Sequence, residues 1–361
     1  MDKSLELLRK TVACKAVTSD IAAVNRVSDL MREYLEENGI NVVVEEAGGR
    51  RLLYASRTPG KVCDVLINAH MDVVPLSLPE QGEMKEDGNV VLGRGVHDCQ
   101  GNAIAVANAI IQYTGKTKLG AILSCDEETG GHTLPIVLDR GYRPLKMSIV
   151  VDGGAYSIIC AEKGLLSINI KAKGKSGHSS TPWECDNALD HLIDAYVRLR
   201  NAWPKVTPPD TWRDTMAATM ISAAPAHNQI PGSATLCLNF RYVGDDGRQR
   251  IMSMVEKYMG GMEYEFVDHR DYMMADPDNG CLKLLQKSIE EATNHEVVMS
   301  KMHGATDAVY FKKYGVPVGV IGTVGGGAHM ASEWLDWTSV AEYTKAIVLL
   351  AKKLEDQPCQ A

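Results

Sequence analysis

The residues predict an α/β fold with a largely parallel sheet, interrupted by an inserted α+β block. Three observations carry this prediction. Short apolar, β-branched runs alternate with helical stretches through the first part of the chain. From residue 165 the order changes to β-α-β-β-α-β, the ferredoxin-like arrangement. Residues able to ligate a metal stand at the ends of the early runs, and the last of them, His329, comes only after that block.

The first element is an amphipathic helix over 19–39. Ile21, Val24, Val27, Leu30, Met31, Tyr34 and Leu35 recur at helical spacing, Ser19 can cap its start and Gly39 can close its end. Strands are expected at 41–45, 65–69, 119–124, 147–151 and 316–321, with helices at 101–113 and 134–139. Strands separated by helices make a sheet covered on both faces. Within the block, strands are expected at 165–173, 216–224, 234–242 and 262–267, with helices at 187–202 and 248–259. The turn-forming residues at 275–280 suit a return to the first domain. The domains are therefore 1–164 with 276–361, and 165–275.

Composition narrows the partners. The chain of 361 residues is long enough for two cores, since a single core stops growing at roughly 250–300 residues. A net charge of -8 argues against a nucleic-acid backbone or an anionic membrane, either of which selects a basic face. No apolar run approaches the ~20 residues that span a bilayer. The acidic start lacks a secretory core segment. Nine cysteines without a Cys-x-x-Cys pair suggest neither a disulfide framework nor a zinc knuckle. A cytoplasmic protein is expected, with Cys99 and Cys125 as small packing residues.

Five residues of ligand type follow apolar runs: His70, Asp98, Glu128, Asp152 and His329. A strand that stops at an imidazole or a carboxylate delivers it to the carboxyl edge of the sheet, where open α/β folds build their sites. Two histidines and three carboxylates suit a two-zinc hydrolytic centre. Asp72, in His70-Met71-Asp72, suits the acceptor that holds a ligating imidazole's other nitrogen, although His-x-Asp alone is a common surface feature. Asp98, behind Gly93-Arg94-Gly95, can bridge two cations or cap the helix that follows. Glu127 and Glu128 would repel each other unless one binds metal and the other serves as general base. Two divalent ions bring four positive charges, which three carboxylates and a hydroxide balance.

As a set these residues resemble the metallopeptidase family that includes acetylornithine deacetylase, succinyl-diaminopimelate desuccinylase, aminoacylase and carboxypeptidase G. The resemblance implies a zinc-exopeptidase-like catalytic domain with a mainly parallel mixed sheet, and it makes the inserted block a lid and dimerisation domain. It implies His70, Asp98 and Asp152 on one zinc and Asp98, Glu128 and His329 on the other. Glu127 would be the base that activates the bridging water, and Asp72 the orienter of His70. Gly177-His178-Ser179-Ser180 looks like the family's histidine motif, whose imidazole donates to the oxyanion, often from the partner subunit. Asn228 and Arg241 look like its substrate-binding pair, with Arg241 holding a carboxylate bidentately. Gly304-Ala305-Thr306-Asp307 resembles a cleft-lining stretch, and Glu333 the acidic residue that follows the last histidine.

The resemblance implies a dinuclear-zinc hydrolase that cleaves the amide of a small N-acyl amino acid, acting as a homodimer through the lid. Cobalt or manganese would tolerate the same ligands. Asp152 stands where the deacylase branches carry glutamate, which points instead to a dipeptidase or aminopeptidase. A non-catalytic binding protein on this fold is the remaining alternative, and the intact ligand set, Glu127 and His178 count against it.

Overall fold

The computed structural model describes residues 2–224 and 226–356. The chain divides into two compact units, one built from 1–161, 274–301 and 306–361, the other from 162–273 and 302–305.

The first unit opens with helices α1 (Lys3–Ala13) and α2 (Ile21–Glu37). Asp20, not Ser19, caps α2, its carboxylate accepting from Ala23 N at 2.9 Å. Strands β1 (Asn41–Ala47), β2 (Arg50–Ser56) and β3 (Val62–His70) follow. After the short β4 (Lys85–Asp87) and β5 (Val90–Leu92) come α3 (Gln100–Gln112), β6 (Leu119–Ser124), α4 (Thr133–Leu138), β7 (Arg143–Val151) and β8 (Ser157–Glu162). The main sheet runs β1-β2-β6-β3-β7, then a strand at Val318–Ile321, then β8. Its middle is parallel: Ile67 pairs with Ala121 on one side and with Ile149 on the other. β1, β2 and β8 are antiparallel to their neighbours, so the sheet is mixed with a mainly parallel centre. β6 is buried along its whole length, as are the last six residues of β3 and the last five of β7. Continuous burial of this kind means both faces are covered.

The second unit begins with β9 (Gly164–Lys173) and β10 (Gly177–His178), followed by α5 (Ala188–Ala202) and β11 (Thr215–Ser222). β12 (Gln229–Ile230), β13 (Ser233–Tyr242), α6 (Gly247–Met259) and β14 (Glu263–Arg270) complete it. Its sheet runs β11-β13-β9-β14 with every pair antiparallel. That is the strand order of a β-α-β-β-α-β ferredoxin-like unit. Alternation along β13 turns Leu236, Leu238 and Phe240 into one core with Leu192 and Leu199 of α5 and Ile251 and Val255 of α6.

The chain returns to the first unit's sheet through β15 (Met273–Met274), which ends its far edge beyond β8. It continues through α7 (Gly280–Thr293), β16 (Val298–Met302), which pairs with β8, and β17 (Val318–Ile321), the parallel partner of β7. It closes with β18 (Gly325–Gly326), β19 (Trp334–Asp336) and α8 (Trp337–Asp356). β18 and β19 join β5 and β4 in a small antiparallel sheet. β2 and β8 lie in stretches where the apolar pattern assigns no strand, although five of the seven residues of β2 and five of the six of β8 are buried. Among the described residues seven cysteines carry free thiols and Cys281 is disulfide-bonded, a linkage that cysteine spacing did not suggest.

Candidate metal centre

Three parallel strands end at the centre. His70 is the last residue of β3, Asp152 directly follows β7, and Glu127 and Glu128 lie just beyond β6. A buried polar chain holds these strand ends together. Asn68 on β3 donates through Nδ2 to Ser124 Oγ at 3.1 Å, and Ser124 donates to Asp307 Oδ2 at 2.7 Å. Asp98 enters from the loop before α3. Cys99, not Asp98, holds the cap position of that helix, and it makes no side-chain cap bond. The carboxylate of Asp98 is thus free to face the histidines. His329 arrives on a loop with φ +63°, after Gly327 at φ +71°. A side chain on Gly327 would meet Ser332 O at 2.6 Å, so the turn needs glycine.

These residues converge. His70 Nε2 lies 3.1 Å from Asp98 Oδ1 and 3.6 Å from Asp152 Oδ1. His329 Nε2 lies 3.3 Å from Asp98 Oδ2 and 2.9 Å from Glu128 Oε2. The two oxygens of Asp98 therefore address different histidines. His70 Nδ1 sits 3.0 Å from the Asp72 carbonyl and 3.4 Å from Asp72 Oδ1. Two acceptors there place a ring proton on Nδ1, so Nε2 is the nitrogen turned to the carboxylates. Asp72 is wholly buried and is held in turn: Thr18 Oγ1 donates to it at 2.7 Å, and the backbone N–H groups of Glu127 and Glu128 at 3.2 and 3.3 Å.

The electrostatics of the cluster call for added positive charge. Burial, with repulsion from Asp98 and Glu127, pushes the Glu128 carboxyl up to about 8, although His70 and His329 pull the other way. Burial raises Asp152 likewise, with Asp98 adding to it against the pull of His70. His329 is raised to about 9, chiefly by its bond to Asp98, and then by Glu128. Burial alone would lower His70, but the Asp152 and Asp72 carboxylates hold it well above its ordinary value. The cluster thus gathers protons to offset crowded carboxylates, and divalent cations can replace those protons. Glu128 Oε1 is buried with no hydrogen-bond partner, a costly position for a carboxylate oxygen unless a cation meets it. The donor set fits divalent metal.

Two neighbours were not legible as part of this site. Cys99 Sγ groups with His70 and Asp152, ligand atoms all within 4.8 Å of one another. Burial drives its pKa far above the usual thiol range, and it donates to Val151 O at 2.9 Å, so it stands there as a thiol. Thr18 lies 54 positions from Asp72 in a segment with no motif of its own. His97 Nε2 lies 3.3 Å from the Thr323 carbonyl.

His178, Asn228 and Arg241 belong to the second unit. His178 pairs with Gln229 across β10 and β12, and Ser179 N donates to the Asn228 carbonyl at 3.0 Å, so the histidine motif and Asn228 are adjacent. Ser180 N–H donates to His178 Nδ1 at 3.1 Å, which leaves the ring proton on Nε2 as a donor. Arg241 is half-buried on the face of β13 opposite the core. Arg241 and Arg270 both pair with Leu165 from opposite sides of β9, so the two side chains share one sheet face. Burial and the Arg270 charge lower the pKa of Arg241.

Comparison with known proteins agrees with this geometry. The chain is 25% identical to succinyl-diaminopimelate desuccinylase 2 of Ruegeria sp., covering 98% of this chain and 94% of that protein. In fold it is similar to a tripeptidase from Staphylococcus aureus (TM-score 0.80, 17% identity, 98% of both chains covered). It is equally similar to an M20 family metallo-carboxypeptidase, Sso-CP2, from Sulfolobus solfataricus (TM-score 0.80, 15% identity, 98% of this chain and all of that one). Residues 66–353 match the model of peptidase family M20/M25/M40. The chain belongs to that family and is a metal-dependent hydrolase of amide or peptide bonds.

Proposed function

We propose that this protein is a two-metal hydrolase that cleaves the amide bond of a small N-acyl amino acid. The observation that supports it best is Asp98, whose two oxygens face His70 and His329 separately, with Asp152 and Glu128 completing two ligand groups. His70, Asp98 and Asp152 would hold one ion, and Asp98, Glu128 and His329 the other. Zinc is the expected metal, and cobalt or manganese would fit the same oxygen and nitrogen donors. When bound, the ions would acidify water and polarise the scissile carbonyl.

The remaining work falls to side chains. Glu127 takes a proton from the attacking water as its oxygen bonds to the carbonyl carbon. It then delivers that proton to the departing nitrogen as the C–N bond breaks. Asp72 keeps His70 in the tautomer that presents Nε2. His178, with its proton on Nε2, donates to the oxygen that gains charge, with Asn228 beside it orienting the substrate. Arg241 holds the substrate carboxylate by a paired hydrogen bond. Residues 1–164 and 276–361 form the catalytic metal-binding domain, and 165–275, which bring His178, Asn228 and Arg241, serve as lid and dimerisation domain. β11, an edge strand with Met220 and Ile221 exposed, supports pairing with a second copy. No helix among the described residues is long and apolar enough to cross a membrane. The seven free thiols among the described residues favour a cytoplasmic setting, and the disulfide at Cys281 counts against it.

Asp152 supports a second reading, a dipeptidase or aminopeptidase. A zinc- or cobalt-loaded screen of N-acetyl, N-succinyl and dipeptide substrates separates the two. Cleavage confined to dipeptides with a free amine moves the assignment to the second. Glu127→Gln is expected to keep both metals and lose about 10²–10⁴-fold in turnover; near-full activity in that variant removes Glu127 as the base.

A further inference from the structure

Glu333 makes a connection that the proposed reaction leaves unused. Its carboxylate is fully buried and accepts four hydrogen bonds. Arg94 Nη1 at 2.8 Å and the Gly95 N–H at 3.0 Å reach one oxygen; the N–H groups of His97 and Asp98, both at 3.1 Å, reach the other. Three of these donors are backbone groups of the loop that carries Asp98. Glu333 lies four residues beyond His329, and 235 positions separate it from Asp98. A second strut runs alongside: Gln81 Nε2 donates to Met330 O at 2.9 Å, and Arg94 N donates to Gln81 O at 2.9 Å.

We infer that Glu333 is the positioning residue that sets the spacing between Asp98 and His329, and through it the ion position shared by Asp98, Glu128 and His329. This inference rests on the two-metal reading above. Two features support it. Arg94 and Glu333 have only 2% and 0% of their side chains exposed, and burying such a pair is costly, so stability alone is a poor reason to keep it. The carboxylate also grips backbone N–H groups, which cannot swing as side chains can, so it fixes where the Asp98 main chain lies. The loop offers little slack of its own: Gly95 adopts φ +84°, and a side chain there would meet Val73 Cγ1 at 2.5 Å.

The test compares wild type with Glu333→Gln and Glu333→Asp. Metal stoichiometry and affinity are read by chelator competition, the visible spectrum is taken on the cobalt-loaded protein, and the melting temperature is taken without metal. Both variants are expected to hold one ion as wild type does and to bind the second about 10- to 100-fold more weakly. The cobalt spectrum should change, and turnover should recover at high metal concentration. If Glu333→Gln does not fold, Glu333→Asp decides, since it keeps the charge opposite Arg94 and only retracts it. Folded variants that bind two ions with wild-type affinity and spectrum, whatever their melting temperature, overturn the inference alone. A wild-type protein that takes up fewer than two ions overturns the two-metal reading and this inference with it.

Discussion

At Asp72 one carboxylate ties together three segments of the chain, at Thr18, His70 and Glu127–Glu128. Oδ1 faces His70 Nδ1 and accepts from Glu127 N, while Oδ2 accepts from Thr18 and Glu128 N. Burial opposes its charge, but His70, Thr18 and the backbone donors outweigh burial and keep its pKa below the usual carboxylate value. Asp72→Ala removes one of the two acceptors at His70 Nδ1 and the carboxylate that accepts from the Glu127 and Glu128 N–H groups. Metal affinity measured by chelator competition is expected to fall about 10- to 100-fold. Unchanged affinity would show that the Asp72 carbonyl, 3.0 Å from Nδ1, is a sufficient acceptor by itself.

Among the elements, β1 carries a buried charge whose environment makes a pH-dependent prediction. Glu45 accepts from Tyr142 Oη at 2.7 Å, from Lys61 Nζ at 3.3 Å and from Arg140. Burial would raise its pKa, yet the three donors together hold it below its ordinary 4.5. The folded value is below the unfolded one, so the stabilisation is complete above about pH 4.5 and is lost as pH falls through the folded value. Glu45→Gln should therefore lower stability by roughly 1–3 kcal/mol at pH 7. The gap in melting temperature between variant and wild type should close as pH drops below that range. A gap that stays constant down to pH 3 would mean that shape rather than charge sets the contribution of Glu45.

For the whole molecule, the exposed edge at β11 bears on assembly. Met220 is 65% exposed and Ile221 54%, on a strand with one unpaired edge. α5 adds Ile193, Tyr196 and Leu192 to the same apolar groove. An edge of this kind is a template for another strand unless something blocks it. If a second copy covers it, Ile221→Lys should convert a dimer to a monomer in light scattering without changing the fold seen by circular dichroism. A wild-type monomer at micromolar concentration would remove the dimer from the proposal.

Ligand chemistry and strand periodicity are local properties, so the chain alone determined that His70, Glu128 and Asp152 close apolar runs. It also determined that a β-α-β-β-α-β block separates them from His329. The same local rules left Asp98 ambiguous between a helix cap and a site residue. In the tertiary structure Cys99 takes the cap position and the Asp98 carboxylate lies against the two histidines. Tertiary structure alone decided the Glu333 clamp on Arg94 and the Asp98 loop, the Thr18 bond to Asp72, and the approach of Cys99 to His70 and Asp152. Hydrogen bonds between residues 54 or 235 positions apart leave no periodicity or spacing to read. They exist only once the strands have set the distances.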